Sequence, residues 1–168
     1  MTKIRLVIFD LDCTLWDHDD ASTLRPPFKL ENEDTIIDAN GIKLKLFPGV
    51  REVLEKLRKK NKFLAVASWN KYSKVIKILK TLKIDRFFDV ICIEDRPFKD
   101  NMLLKILGEF RKRGILIKPN EVIFVDDREL HKEQVAKFGV IFVQMWKDVK
   151  SFSRITGIYT EIRIEELM

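Results

Sequence analysis

The chain has 168 residues, 46% hydrophobic and 35% charged, with 32 Lys and Arg against 26 Asp and Glu and a net charge of +6. Six glycines and five prolines exclude a collagenous or low-complexity chain, and the apolar content excludes a disordered one. No apolar run reaches the ~18 residues of a membrane span, and the two cysteines, Cys13 and Cys92, make neither a disulfide framework nor a zinc pattern, so a soluble cytoplasmic protein is expected.

Ile4-Arg5-Leu6-Val7-Ile8-Phe9, ending at Asp10, predicts a strand buried on both faces. Residues 17–47 follow with an acidic patch and two prolines, then a hairpin over Thr35–Leu46 with Asn40-Gly41 as its type I′ turn. From Val50 onward helical and strand patterns alternate. The helical faces are Val50, Val53, Leu54 and Leu57; then Tyr72, Val75, Ile76 and Leu79; then Leu103, Ile106, Leu107 and Phe110; and, more weakly, Leu130, Val135 and Phe138. The intervening apolar runs are Phe63–Ala67, Phe88–Ile93, Val122–Val125 and Val140–Val143. This alternation predicts an α/β fold, a doubly wound, Rossmann-like parallel sheet in a single domain over residues 1–168. The hairpin of 17–47 is a small flap inserted after the first strand, at the carboxyl edge of the sheet where open α/β folds bind ligands. In the tail, Ile158, Ile162 and Ile164 alternate in a way that suits an edge strand or a subunit contact.

Basic residues concentrate in 51–118, with 19 against 8 acidic ones. Lys71, Lys74, Lys77, Lys80 and Lys83 read as a solvated stripe, and without interleaved aromatics a nucleic-acid partner is not expected.

Asp10-Leu11-Asp12-Cys13-Thr14 carries the strongest chemical signal. An EF-hand starting at Asp10 fails, because Leu15 and Ala21 stand where Gly and Glu are needed. Two readings remain: a strand closing in a polar turn, or phosphoryl transfer in which one carboxylate attacks phosphorus and the other protonates the leaving oxygen. The second reading demands cations and hydrogen-bond donors. Candidates stand after later strands: Asp126-Asp127 for a hard cation such as Mg²⁺, Ser68 for phosphate oxygens, and Lys99 for a fixed positive charge.

In this order the motifs resemble the four motifs of the haloacid dehalogenase superfamily. Phe9–Trp16, Arg25-Pro26-Pro27-Phe28, Ala67-Ser68-Trp69-Asn70 and Phe124–Arg128 resemble more narrowly its magnesium-dependent phosphatase subfamily, over residues 4–145. The resemblance implies that Asp10 is the nucleophile, forming an aspartyl-phosphate, and that Asp12 is the acid and then the base. It implies Mg²⁺ held by the Asp10 carboxylate, the Asp12 backbone carbonyl and Asp126, with Asp127 behind. Thr14 and Ser68 would hold the phosphoryl group, beside Trp69 and Asn70, and Lys99 would steady it. Arg96 is the substitute for Lys99 in a third motif reduced to one lysine. The implied activity is Mg²⁺-dependent hydrolysis of phosphomonoesters, on phosphotyrosine or sugar-phosphate-like substrates, a phosphorylated small molecule or phosphoprotein being the partner. A nucleic-acid 3′-end phosphatase and a phospho-acceptor signalling domain are the alternatives.

Cys13 and Cys92 lack the C-x5-R arrangement of cysteine phosphatases and read as packing residues. His131 is expected on a helix surface; for His18, contact with substrate is the less favoured of its two readings. Trp16 and Trp69 either line a pocket for a flat substrate or pack at its rim.

Overall fold

The computed structural model describes residues 3–152. β1 (Leu6–Phe9) leads into the insertion, where β2 (Lys29–Asn32), β3 (Thr35–Ile37) and β4 (Lys43–Lys45) form a three-stranded antiparallel sheet. Then come α1 (Val50–Lys59), β5 (Phe63–Trp69), α2 (Tyr72–Thr81), β6 (Val90–Glu94), α3 (Lys99–Lys112), β7 (Val122–Asp126), α4 (Lys132–Ala136) and β8 (Ile141–Gln144). The main sheet has the order β6-β5-β1-β7-β8, and all its pairings are parallel.

Alternation along each strand separates two cores. Val7, Phe9, Leu64, Val66, Ile123 and Val125 face one cluster with Val53 and Leu57 of α1 and Val75 and Ile78 of α2. Leu6, Ile8, Ala65, Ala67, Val122 and Phe124 face the other with Met102, Ile106 and Phe110 of α3 and Val135 of α4. Helices therefore cover both faces, as the continuous apolar runs require. β1 is the central strand, so its carboxyl end opens at the middle of the sheet edge. The weak fourth helix is one short turn-and-a-half, with Leu130 58% exposed ahead of it.

The insertion differs from the expected hairpin in two ways. A third strand, β2, pairs with β3. Gly41 has φ +82, but Asn40 is not in the left-handed region, so no type I′ turn forms. The buried Asp38 carboxylate shapes this connection instead, accepting the backbone N–H groups of Arg25, Asn40 and Ile42 at 2.9, 2.8 and 2.8 Å. Ile36, Leu44 and Leu46 pack into the first core beside Leu15 and Trp16. Lys74 departs from the solvated stripe: it is half-buried, and its Nζ donates to Ser22 O at 2.7 Å, tying α2 to the insertion. The isoleucines expected to form an edge strand in the tail lie outside the described residues.

Candidate active site

The carboxyl ends of β1, β5 and β7 bring Asp10, Ser68 and Asp126 together, and the start of α3 adds Lys99. Parallel register makes this unavoidable: Phe9 pairs with Val66 and with Val125, and the Asp10 N–H donates to Val125 O at 2.9 Å. Lys99 is 1% exposed, and its Nζ lies 2.9 Å from Asp10 Oδ1, 2.6 Å from Ala67 O and 3.3 Å from Asp126 Oδ2. The last of these is an ion pair without hydrogen-bond geometry, since Asp126 Oδ2 has no hydrogen-bond partner. Burial lowers the affinity of an ammonium for its proton, but Asp10 and Asp126 reverse this and hold Lys99 above its usual range. Arg96, the other cation, is exposed and does not line the cavity.

After β1 the chain turns sharply, with Cys13 at φ 54 and the Leu11 carbonyl accepting the N–H groups of Thr14 and Leu15 at 3.0 and 2.8 Å. The turn aims Thr14 Oγ1 inward, 3.4 Å from Asp10 Oδ2 and 3.2 Å from Asp127 Oδ1. Asp12 lines the same cavity as Asp10 but is held by a different set of partners. Asp12 Oδ1 accepts Trp16 Nε1–H at 2.7 Å and the Ala21 N–H at 3.1 Å, while Oδ2 accepts from Asn70 Nδ2 at 2.7 Å. Burial is the main cause that pushes its pKa up to about 6; the Trp16 hydrogen bond opposes this and Asp10 adds to it. Two carboxylates two residues apart are thereby placed in unlike settings, one ion-paired with Lys99 and one with its pKa raised by burial.

Several expected residues take different places. Trp16 is fully buried and does not line the cavity; its indole positions Asp12 instead. Asn70, expected beside the phosphoryl group, lines the cavity but spends its amide on Asp12. Trp69 stands 43% exposed at the cavity, with the Arg128 guanidinium 5.7 Å from its ring centre. His18 does not line the cavity, and its Nδ1 accepts the Asp20 N–H at 3.1 Å. His131 is not on a surface: it closes the short turn Glu129–His131 before α4, is 2% exposed and lines the cavity. Isolated in the sequence, it carries no motif that would have revealed it. Cys13, expected as a packing residue, is half-buried and lines the cavity, and its thiol is pushed up first by burial and then by Asp127 and Asp12.

The cavity holds about 290 Å³. Within the insertion, its lining comes from Asp19, Asp20 and Ser22, and the strands β2, β3 and β4 contribute none. Asp10, Asp126 and Asp127 each offer an oxygen within 4.8 Å of the others, so Asp127 joins the group that it was expected to back. Asp126 Oδ1 accepts the Arg128 N–H at 2.9 Å, leaving the buried Oδ2 unsatisfied. An all-oxygen set with a spare buried carboxylate oxygen fits a hard divalent cation of the Mg²⁺ kind. Without one, burial and Asp10 push the Asp126 carboxyl up to about 7, against the pull of Lys99.

Residues 3–158 match the family model described as Acid Phosphatase. The chain is 27% identical over 153 residues to magnesium-dependent phosphatase 1 of Homo sapiens, covering 89% of this chain and 84% of that protein. Among solved structures, a haloacid dehalogenase (HAD) superfamily hydrolase of subfamily IA from Geobacter sulfurreducens superposes with TM-score 0.67 at 20% identity, covering 93% of this chain and 96% of that one. Another HAD-superfamily hydrolase, from Ehrlichia chaffeensis, superposes with TM-score 0.68 at 16% identity, covering 95% and 97%. The fold is that of the HAD hydrolases.

Proposed function

The chain belongs to the acid phosphatase family, and from that premise we propose that it is a Mg²⁺-dependent phosphomonoester hydrolase working through a phosphorylated Asp10. The observation that carries this reading is the pair of unlike carboxylates on one turn: Asp10 against Lys99 at 2.9 Å, and Asp12 clamped by Trp16, Ala21 and Asn70. An oxygen of Asp10 attacks phosphorus, the ester P–O bond breaks, and Asp12 gives its proton to the leaving oxygen. Water then attacks the phosphorus of the acyl phosphate and Asp12 takes its proton. The Asp10 carboxylate returns as inorganic phosphate leaves. Asp10, Asp126 and Asp127, with the Asp12 carbonyl, would hold Mg²⁺, which when bound supplies charge neutralisation at the phosphoryl oxygens. Lys99 holds Asp10 in place, and Thr14 and Ser68 bind the phosphoryl group. Residues 17–47 act as a minimal cap on a single domain.

The mouth suits two substrate types. Trp69 with Arg128 offers an aromatic and cationic face to an aryl phosphate such as phosphotyrosine, and Asp19, Asp20 and Asp95 offer acceptors to the hydroxyls of a sugar phosphate. Phosphate release from a panel of phosphopeptides and sugar phosphates, with Mg²⁺ or EDTA, tests the reading. Turnover only of nucleic-acid 3′-phosphates would overturn the substrate class. Mg²⁺ is also expected to raise the melting temperature of the wild type and not of Asp126→Ala; an equal shift in the variant removes Asp126 from the metal site.

The acid role sets a pH dependence. Asp12 protonates the leaving group only below its raised pKa of about 6, so kcat/KM for an alkyl phosphate falls by up to ~10-fold per pH unit above that point. A p-nitrophenyl ester, whose leaving group needs little protonation, gives a flatter profile. Parallel profiles for the two substrates would remove Asp12 from the acid role.

A further inference from the structure

Among the described residues, four that are not glycine have a positive φ: Cys13, Asn61, Lys83 and Trp146. Left-handed backbone is costly for a residue with a Cβ and persists only where the surroundings hold it. Helix ends account for two of the four. Asn61 closes α1, its N–H on Arg58 O at 2.9 Å and the Lys62 N–H on Leu57 O at 3.0 Å, and Lys83 closes α2 in the same way. Cys13 and Trp146 end no helix. They are bonded to each other: Trp146 Nε1–H donates to Cys13 O at 2.7 Å, between residues 133 positions apart.

Cys13 stands between Asp12 and Thr14, the acid and a phosphoryl ligand of the reaction proposed above. Its other hydrogen bonds are local: the backbone N–H and the thiol both donate to His18 O, at 3.1 and 3.8 Å. Among the described residues, the Trp146 indole is the one hydrogen-bond partner of Cys13 from outside this turn. It arrives from the edge of the sheet, since β8 pairs with β7 and not with β1. The chain leaving β8 is itself fixed to the second acidic loop, with the Met145 N–H on Asp126 O at 3.0 Å and Gln144 Nε2 on Asp127 O at 3.3 Å. Phe47 meets the indole edge-on at 4.5 Å, and the Trp146 N–H donates to Val149 O at 2.7 Å. Three successive residues thus hold the carbonyls of Asp127, Asp126 and Cys13. Trp146 lies in none of the four motifs and does not line the cavity.

We propose that Trp146 is a positioning residue for the catalytic turn: its indole N–H anchors the Cys13 carbonyl, keeps Cys13 left-handed, and so holds Asp12 and Thr14 in place beside Asp10, an inference that rests on the phosphatase reading above. Trp146→Phe keeps a ring against Phe47 and removes the donor. Misplacing a reacting group by ~1 Å costs up to ~100-fold in rate, and kcat for p-nitrophenyl phosphate with Mg²⁺ is expected to fall ~10-fold at a melting temperature close to wild type. Cys13→Gly separates the tie from packing, because glycine takes positive φ without the Cβ clash. In that background Trp146→Phe is expected to cost less than ~3-fold, a departure from additivity that marks coupled sites. Equal losses in the two backgrounds would show that the ring acts by packing and would overturn the proposal, as would wild-type kcat in a folded Trp146→Phe. Either result leaves the phosphatase reading standing if Asp10→Asn still abolishes turnover, whereas no turnover by the wild type overturns both. Hydrogen exchange followed by NMR needs no variant, since the chain has three tryptophans and Trp69, 43% exposed against 39% for Trp146, makes no indole hydrogen bond among the described residues. The Trp146 indole N–H is expected to exchange ~10-fold or more slowly than that of Trp69. Equal exchange contradicts the proposal even if Trp146→Phe fails to fold.

Discussion

Asp10→Asn is expected to lower kcat by on the order of 10⁴ or more, the scale on which loss of a covalent nucleophile acts. An amide oxygen still accepts from Lys99 Nζ, now at 2.9 Å from Asp10 Oδ1, and the main-chain bond from Asp10 N to Val125 O is untouched. The fold therefore survives while the carboxylate proposed as nucleophile is gone. Steady-state assay beside a thermal melt separates the two: wild-type-like melting with kcat within tenfold of wild type would remove Asp10 from the chemistry.

Lys99→Met is the second large effect, and it falls on stability as well as rate. The ammonium is 1% exposed and lies between Asp10 and Asp126, whose side chains are 11% and 0% exposed. Removing one member of a buried pair costs about 3–5 kcal/mol, because the remaining charges stay unpaired. For a chain of this size that lowers the melting temperature by on the order of 10 °C in EDTA. The sign with pH follows from Asp126, whose raised pKa of about 7 means that the folded state binds a proton the unfolded state has lost. Its stabilising contribution is complete below the ordinary carboxylate range and disappears as pH rises through about 7. Without Lys99 this carboxyl rises further, so the deficit of Lys99→Met is level up to about pH 7 and widens as pH rises through that point, where only the wild type loses the proton. Mg²⁺, by supplying positive charge to the same oxygens, recovers part of the loss. A deficit independent of pH would show that Lys99 acts through packing alone.

The elements legible in the sequence are those whose physics is local. Leu6–Phe9 and Val122–Asp126 are strands buried on both faces, so their apolar runs and the acids that end them place Asp10 and Asp126 at one sheet edge. Lys99 was legible as a cation following a later strand, but nothing in Arg96–Asp100 sets it apart from Arg96 before α3 seats it. What stayed hidden depends on tertiary contacts. Trp16 closely follows the Asp10–Thr14 segment, but only the sharp turn at Cys13 directs its indole to Asp12. Asn40-Gly41 has turn chemistry, yet the buried Asp38 carboxylate satisfies three backbone donors and overrides it. His131 has no local signature, since a lone histidine ahead of a short helix does not reveal that the fold leaves it 2% exposed at the cavity.

The most direct test of the account is to trap phosphate on the chain. Acid quench of wild type turning over p-nitrophenyl phosphate with Mg²⁺, reduction with borohydride and peptide mass spectrometry are predicted to convert Asp10 alone to homoserine, with no conversion in Asp10→Asn or in EDTA. Steady turnover with the reduced residue at Asp12 or Asp126, or with none reduced at any quench time, would contradict it.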